Sequence, residues 1–195
     1  MLRLFFLIFI FITTRSFAAE LTQDQLSKIE NYLNSITSAE ADFLQLNQDG
    51  SLNEGKFYLQ KPGRFRWEYV DQPVLVVANK KSLIYYDVEL EQANYVPIEK
   101  SIAALITRQN IKFSGDIELL EASATDEAYI IRATRADQND IGEFTFIFKR
   151  DPIALGKIEL FDENGQKIVI NFINLKINQT TYDKELFRVQ DNRLR

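Results

Sequence analysis

Residues 64–69 read RFRWEY, so Phe65, Trp67 and Tyr69 alternate with Arg64, Arg66 and Glu68. Successive side chains of a strand point to opposite faces, which gives this stretch one aromatic face and one charged face. The same period of two runs through most of the chain. It predicts strands over residues 39–48, 52–60, 64–70, 74–78, 82–88, 92–96, 117–122, 129–134, 143–149, 156–161 and 167–177. Turn chemistry separates them at Asp49-Gly50, Pro62-Gly63, Asn79-Lys80, Asp126-Glu127 and Asn164-Gly165. The last is the Asn-Gly pair that closes two-residue hairpins.

A helical period shows twice. Over residues 21–36, Leu26, Ile29, Leu33 and Ile36 form one apolar stripe. Thr22 and Gln25 have capping-box spacing there, and Leu21 with Leu26 occupies the positions of a hydrophobic staple. Residues 101–109 (SIAALITRQ) place Ile102, Leu105, Ile106 and Gln109 at helical intervals, after a Pro97 that helps end the preceding strand. So short a helix is marginal alone and must be held by packing on the sheet. About ten or eleven short strands in sequence, with two helices to cover one face, predict a mainly β (α+β) fold. The expected form is an antiparallel meander curled into a barrel or half-barrel.

Composition narrows the function. The 195 residues suit one domain with a real core. Ahead of it, Arg3 and the apolar run LFFLIFIFI (4–12) lead to Ser16 and Ala18 at the −3 and −1 positions of a cleavage site. That is the pattern of a secretory signal peptide over residues 1–18, followed by a single domain over 19–195. Nine apolar residues are too few to span a bilayer as a helix. Loss of residues 1–18 removes Arg3 and Arg15, leaving 21 basic against 28 acidic residues, a net of −7. That balance argues against nucleic acid as a partner, since phosphate backbones need clustered Lys and Arg. The sequence has no Cys and no His. Disulfides, a lipid-anchoring cysteine, the usual zinc ligands and His-based triads are therefore all excluded.

Carboxylates are plentiful, but no pattern of them reads as catalytic. Glu89 and Glu91 share a strand face as a glycosidase pair would, yet they sit in a polar stretch beside a turn and read as solvated. Asp162-Glu163-Asn164-Gly165 resembles part of a calcium loop without its distal acidic ligand, and reads better as a hairpin turn. No P-loop or Gly-rich nucleotide fingerprint is present, and neither a metal nor a cofactor is expected. The aromatic faces remain. Phe57 and Leu59 precede Phe65, Trp67 and Tyr69, and Phe144, Phe146 and Phe148 alternate later. One sheet and two helices cover so many large apolar side chains only if the sheet curls, around either a packed core or an apolar ligand cavity. Periodicity leaves both open.

The order of short motifs along the chain carries a resemblance that bears on this choice. Phe43-Leu44-Gln45 follows the first helix as F-x-Q, then come Gly50 and Gly55 in a hairpin, and then LQKPGRFRW from Leu59 to Trp67, closed by Gln72-Pro73. The strand–turn–strand stretch LVVANKKSLIYYD (75–87) comes next. Over essentially the whole chain after residue 18, this order resembles the LolA family, periplasmic carriers of outer-membrane lipoproteins. The resemblance implies an incompletely closed barrel capped by helices over a cavity for acyl chains, and no enzyme. It implies acyl-chain contact by Phe43, Phe57, Leu59, Phe65, Trp67, Tyr69, Phe144 and Phe146, and a lid carrying Ile102, Leu105 and Ile106. It further implies acylated lipoproteins as cargo, an inner-membrane ABC transporter as donor, an outer-membrane lipoprotein acceptor, and a monomer in the periplasm of a Gram-negative bacterium. The family usually has Arg just before the Pro of the K-P-G segment, where it bonds lid carbonyls and gates opening; here Lys61 stands in its place. Lysine keeps the charge but loses the planar fork of guanidinium, so either the latch is weaker or Arg64 takes it over. A periplasmic lipid-binding sensor or regulatory half-barrel without transport is the alternative reading.

Overall fold

The alternation in the sequence becomes one continuous antiparallel sheet. The computed structural model describes residues 19–136, 142–161 and 166–189. Its strands are β1 (Ala19–Glu20), β2 (Ser38–Leu46), β3 (Leu52–Gln60), β4 (Arg64–Tyr69), β5 (Val74–Asn79) and β6 (Ser82–Asp87). They continue with β7 (Gln92–Pro97), β8 (Ile117–Ala124), β9 (Ala128–Arg135), β10 (Phe144–Arg150), β11 (Ile153–Phe161) and β12 (Lys167–Ile177). The helices are α1 (Gln23–Ser35) and α2 (Ala103–Ile106), with 3₁₀ turns at Ile98–Lys100 and Lys184–Phe187. All eleven strands expected from alternation are there, each end within three residues of its expected place. The addition is β1, whose two residues pair with Ala124 and Ser123 of β8 and are too few to show a period. The leader over 1–18 and the Asp162 to Gly165 turn lie outside the described residues.

The sheet order is β1-β8-β9-β10-β11-β12-β2-β3-β4-β5-β6-β7. Two meanders, β2 to β7 and β8 to β12, are joined where β12 pairs with β2. The barrel therefore stays open between β7 and the β1–β8 edge, and the connection between the meanders, residues 98–116, carries α2. At one end of the sheet lie the β3–β4 turn and both helices. At the other lie the ends of β2, β4 and β6.

Helix α1 starts as its sequence requires. The Thr22 hydroxyl accepts from the Gln25 N–H at 3.2 Å, and the Gln25 side chain accepts from the Thr22 N–H at 2.9 Å. Ile29 and Leu33 on its apolar stripe are buried in the core. Helix α2 is a single turn, not the longer helix expected over 101–109. In a continuing helix the Thr107 carbonyl would accept from the Ile111 N–H. Instead it accepts from the Gly63 N–H at 2.8 Å, while the Ile111 N–H donates to Asn34 Oδ1 at 2.6 Å. Tertiary partners outbid the local ones and end the helix.

Two glycines make this arrangement possible. Gly63, at φ +76°, turns the chain so closely against Lys80 that a Cβ would lie 2.9 Å from its Cα. Gly55 leaves room for the Phe43 ring: a Cβ there would lie 2.6 Å from that ring and 2.0 Å from the Glu68 carbonyl oxygen. Gly55→Ala is expected to lower unfolding stability by at least the ~1–3 kcal/mol typical of overpacking, since the Glu68 backbone cannot step aside. Urea denaturation checks this, and an unchanged midpoint would mean that Phe43 is not seated over Gly55.

Candidate functional site

The inward residues of the rolled sheet do not fill its interior. A cavity of about 250 Å³ remains, and its lining is almost entirely apolar. Phe65 and Trp67 of β4, with Val76 and Leu83, form one wall. Ile158, Leu160, Ile168 and Ile170 of β11 and β12 face them. The roof is the α2 segment, through Ile102, Ala103 and Ile106. A second space of about 50 Å³ lies deeper, bounded by Phe57, Leu59 and Phe146, with Lys61 at its edge. Ile106 and Ile158 line both and form the partition.

Of the residues expected to meet acyl chains, Phe65, Trp67 and Tyr69 line the larger space and Phe57, Leu59 and Phe146 the smaller. Phe43 lies behind the wall, its ring 4.2 Å from that of Trp67. Phe144 is buried against Phe146 at 5.4 Å between ring centroids and lines neither space. Of the expected lid residues, Ile102 and Ile106 face the cavity, whereas Leu105 is fully buried in the core and lines neither space.

The turn between β3 and β4 ties both helices together. Lys61 is buried, and its Nζ donates to the Leu33 carbonyl of α1 at 2.8 Å. Two residues on, the Gly63 N–H holds the end of the α2 segment through Thr107. The expected contact of Lys61 with the lid is thus replaced by one with α1. Loss of water pulls the Lys61 ammonium down from 10.5 to about 8. Arg64 is half-buried and makes no hydrogen bond or ion pair among the described residues.

Further contacts bracket the roof. The Arg135 guanidinium donates to the Glu99 carbonyl at 3.0 Å. Arg108 grips Asp116 through two bonds of 3.1 and 2.8 Å, which hold the Asp116 carboxyl below its ordinary range. Asn34 bonds both backbone groups of Ile111, and Glu30 accepts from the Phe113 N–H at 2.8 Å. The stretch from Ser101 to Arg108 lies between these anchors.

At the end away from the helices the cavity turns polar. Tyr69 donates its hydroxyl proton to Gln45 Oε1 at 2.9 Å, and Gln45 Nε2 donates to Asn47 Oδ1 at 2.7 Å. Burial raises the Tyr69 phenol above its ordinary value, with the bond to Gln45 acting against it. The Trp67 indole N–H is buried beside that hydroxyl but meets no acceptor in hydrogen-bonding geometry among the described residues. Glu89 and Glu91 are both exposed in the β6–β7 turn and line neither interior space. Among the described residues no group of three or more metal-ligating side chains is gathered together.

Sequence reasoning missed Val76, Leu83 and the four aliphatic residues of β11 and β12. In β5 the reason is physical. Val76 faces the cavity, but Leu75 and Val77 on the outer face are also covered, by Phe187 of the C-terminal 3₁₀ turn. A strand buried on both faces shows no alternation. In β12 the signal was present, because Ile168, Ile170 and Phe172 share one face.

An open antiparallel sheet rolled round a roofed apolar hollow is the architecture of a protein that encloses hydrophobic matter. The sequence model of the family described as "Outer membrane lipoprotein carrier protein LolA" matches residues 34–190, and the chain belongs to that family. It is 27% identical over 183 residues to an outer-membrane lipoprotein carrier protein of Methylococcus capsulatus, covering 88% of this chain and 86% of that one. A protein of the same description from Coxiella burnetii is 31% identical over 177 residues, covering 87% of this chain and 72% of the other. Among solved structures, an uncharacterized conserved protein from Thermus thermophilus superposes with a TM-score of 0.53 at 14% identity, over 87% of this chain and 94% of that one. That likeness concerns the fold alone.

Proposed function

We propose that the protein is a periplasmic carrier that takes up the acyl chains of lipoproteins leaving the inner membrane and hands them to an outer-membrane acceptor. The observation that carries this reading is the apolar cavity roofed by one helical turn. The carrier descriptions of its relatives support it. Residues 1–18 act as the signal peptide, an inner-membrane ABC transporter supplies the energy for loading, and the carrier works as a monomer and performs no chemistry.

The physical task is transfer of greasy chains through water. Burying acyl chains is worth about 0.8 kcal/mol per methylene, so three chains of roughly fifteen carbons carry on the order of 30 kcal/mol. No free diffusion competes with that. A carrier must cover the chains yet hold them less tightly than the next site. The cavity, about 250 Å³, falls below the ≈ 300–1,000 Å³ that drug-sized ligands occupy, so loading has to enlarge it, and the one-turn roof is the part that yields. Roof packing lost on loading subtracts from the affinity and leaves the chains easy to pass on.

The test is extraction from vesicles. Incubated with inner-membrane vesicles that hold an acylated lipoprotein and its transporter, the protein is expected to release that lipoprotein into a soluble one-to-one complex seen by native mass spectrometry. A complex with free lipid alone would favour a lipid sensor. No complex of either kind would remove the carrier reading.

A further inference from the structure

One end of the cavity carries hydrogen-bond donors that the fold leaves unspent. Gln45 is only 9% exposed and stands in a wall otherwise made of aliphatic and aromatic groups. Its orientation is fixed from outside: Asn47 gives its amide N–H groups to Ser51 Oγ at 2.9 Å and Asn53 Oδ1 at 2.6 Å. Asn47 therefore turns its oxygen to Gln45, which in turn offers its own oxygen to Tyr69. A primary amide has two N–H donors. One of Gln45's goes to Asn47 and the other has no partner among the described residues. The neighbouring Trp67 indole N–H is buried beside the Tyr69 hydroxyl and meets no acceptor in hydrogen-bonding geometry among the described residues. Buried donors without acceptors are costly, and two side by side at a cavity end mark a place where an acceptor arrives from elsewhere.

We infer that this end is a subsite for the carbonyl oxygens of ester- or amide-linked acyl groups, an inference that rests on the acyl-chain reading of the cavity. A neutral carbonyl fits better than the carboxylate of a free fatty acid. No Lys or Arg lines the larger cavity, and an unpaired carboxylate there would lose its water with no opposing charge. The subsite gives the cargo a direction. Its linkages sit at Gln45 and Trp67, its chains run toward α2, and its protein part leaves past the strand ends, where Leu46, Leu52 and Val70 stand exposed.

The experiment uses two synthetic lipopeptides with equal chain lengths, one with a diacyl (ester) glyceryl group and one with the dialkyl ether that lacks those carbonyls. The intact protein is expected to bind the ester about five- to tenfold more tightly, the worth of one or two neutral hydrogen bonds. Gln45→Leu should reduce that preference severalfold while still binding the ether, which shows its cavity to be sound. Trp67→Phe should reduce it and provides the second readout if Gln45→Leu misfolds. Equal binding of ester and ether by the unaltered protein would overturn the subsite and leave the acyl cavity standing. Failure to bind either would instead overturn the acyl reading. Palmitate binding more tightly than its methyl ester would overturn the preference for a neutral carbonyl.

Discussion

Ile106→Ala is expected to make the protein bind acyl chains more tightly while making it less stable. Ile106 lies in the roof and is shared by both interior spaces, so its truncation joins them and removes apolar contact between α2 and the sheet. Truncating a buried Ile to Ala costs about 2–5 kcal/mol, and this half-buried one falls at the low end. If the roof moves aside on loading, the loaded form never had those contacts. The loss then falls on the empty form alone, and about 2 kcal/mol of lost packing appears as a roughly thirtyfold lower Kd. Passing the chains to an acceptor should slow by a similar factor. Fluorescent-lipid titration beside urea unfolding measures both sides. An equal or higher Kd in a destabilised Ile106→Ala protein would mean that Ile106 keeps its contacts when loaded, and the roof would not be a lid.

How much of this was readable beforehand depended on whether a signal was local. Most strands were legible because one face meets water, β5 with both faces covered being an exception; the Arg64 to Tyr69 stretch shows its aromatic face only against its charged one. Helix α1 was legible because its cap and its stripe lie within its own residues. The end of α2 was not, since it is set by Gly63 and Asn34, each more than forty residues away in sequence or on another element. The partner of Lys61 was hidden for the same reason: its bond to Leu33 spans 28 residues. The aromatic residues that the sequence advertised turned out to divide between cavity wall and supporting layer. Aliphatic residues on β5, β11 and β12, which advertise nothing in particular, complete the wall. A ring buried behind a wall and a ring lining it share the same period of two, so alternation cannot separate them.

Lys61→Met is expected to flatten the pH dependence of stability between about pH 8 and pH 10. Folding pulls the Lys61 pKa down from 10.5 to about 8, because its ammonium is buried at the edge of an otherwise apolar space. Below pH 8 both folded and unfolded chains hold the proton, so the full cost of burying the charge is present and does not vary with pH. Between 8 and 10.5 the unfolded chain holds the proton and the folded chain sheds it, so stability rises with pH. The rise is at most about 3 kcal/mol by linkage. Near pH 10 it meets an opposing trend, because burial raises the phenols of Tyr32, Tyr69 and Tyr85 and their ionisation destabilises the fold. Subtracting the variant's profile from that of the unaltered protein removes those contributions. At pH 7 the methionine variant should be at least as stable as the original, since the Leu33 carbonyl still accepts from Ile36 while the buried charge is gone. Lys61→Arg keeps a charge throughout the range and should lose the slope as well, yet retain a donor for Leu33. If that bond resists movement of the helices, the methionine variant loads acyl chains faster than the arginine variant. Coincident pH profiles for the original and the methionine variant would mean that folding does not lower the Lys61 pKa, and the cost of a buried charge would no longer be there to explain.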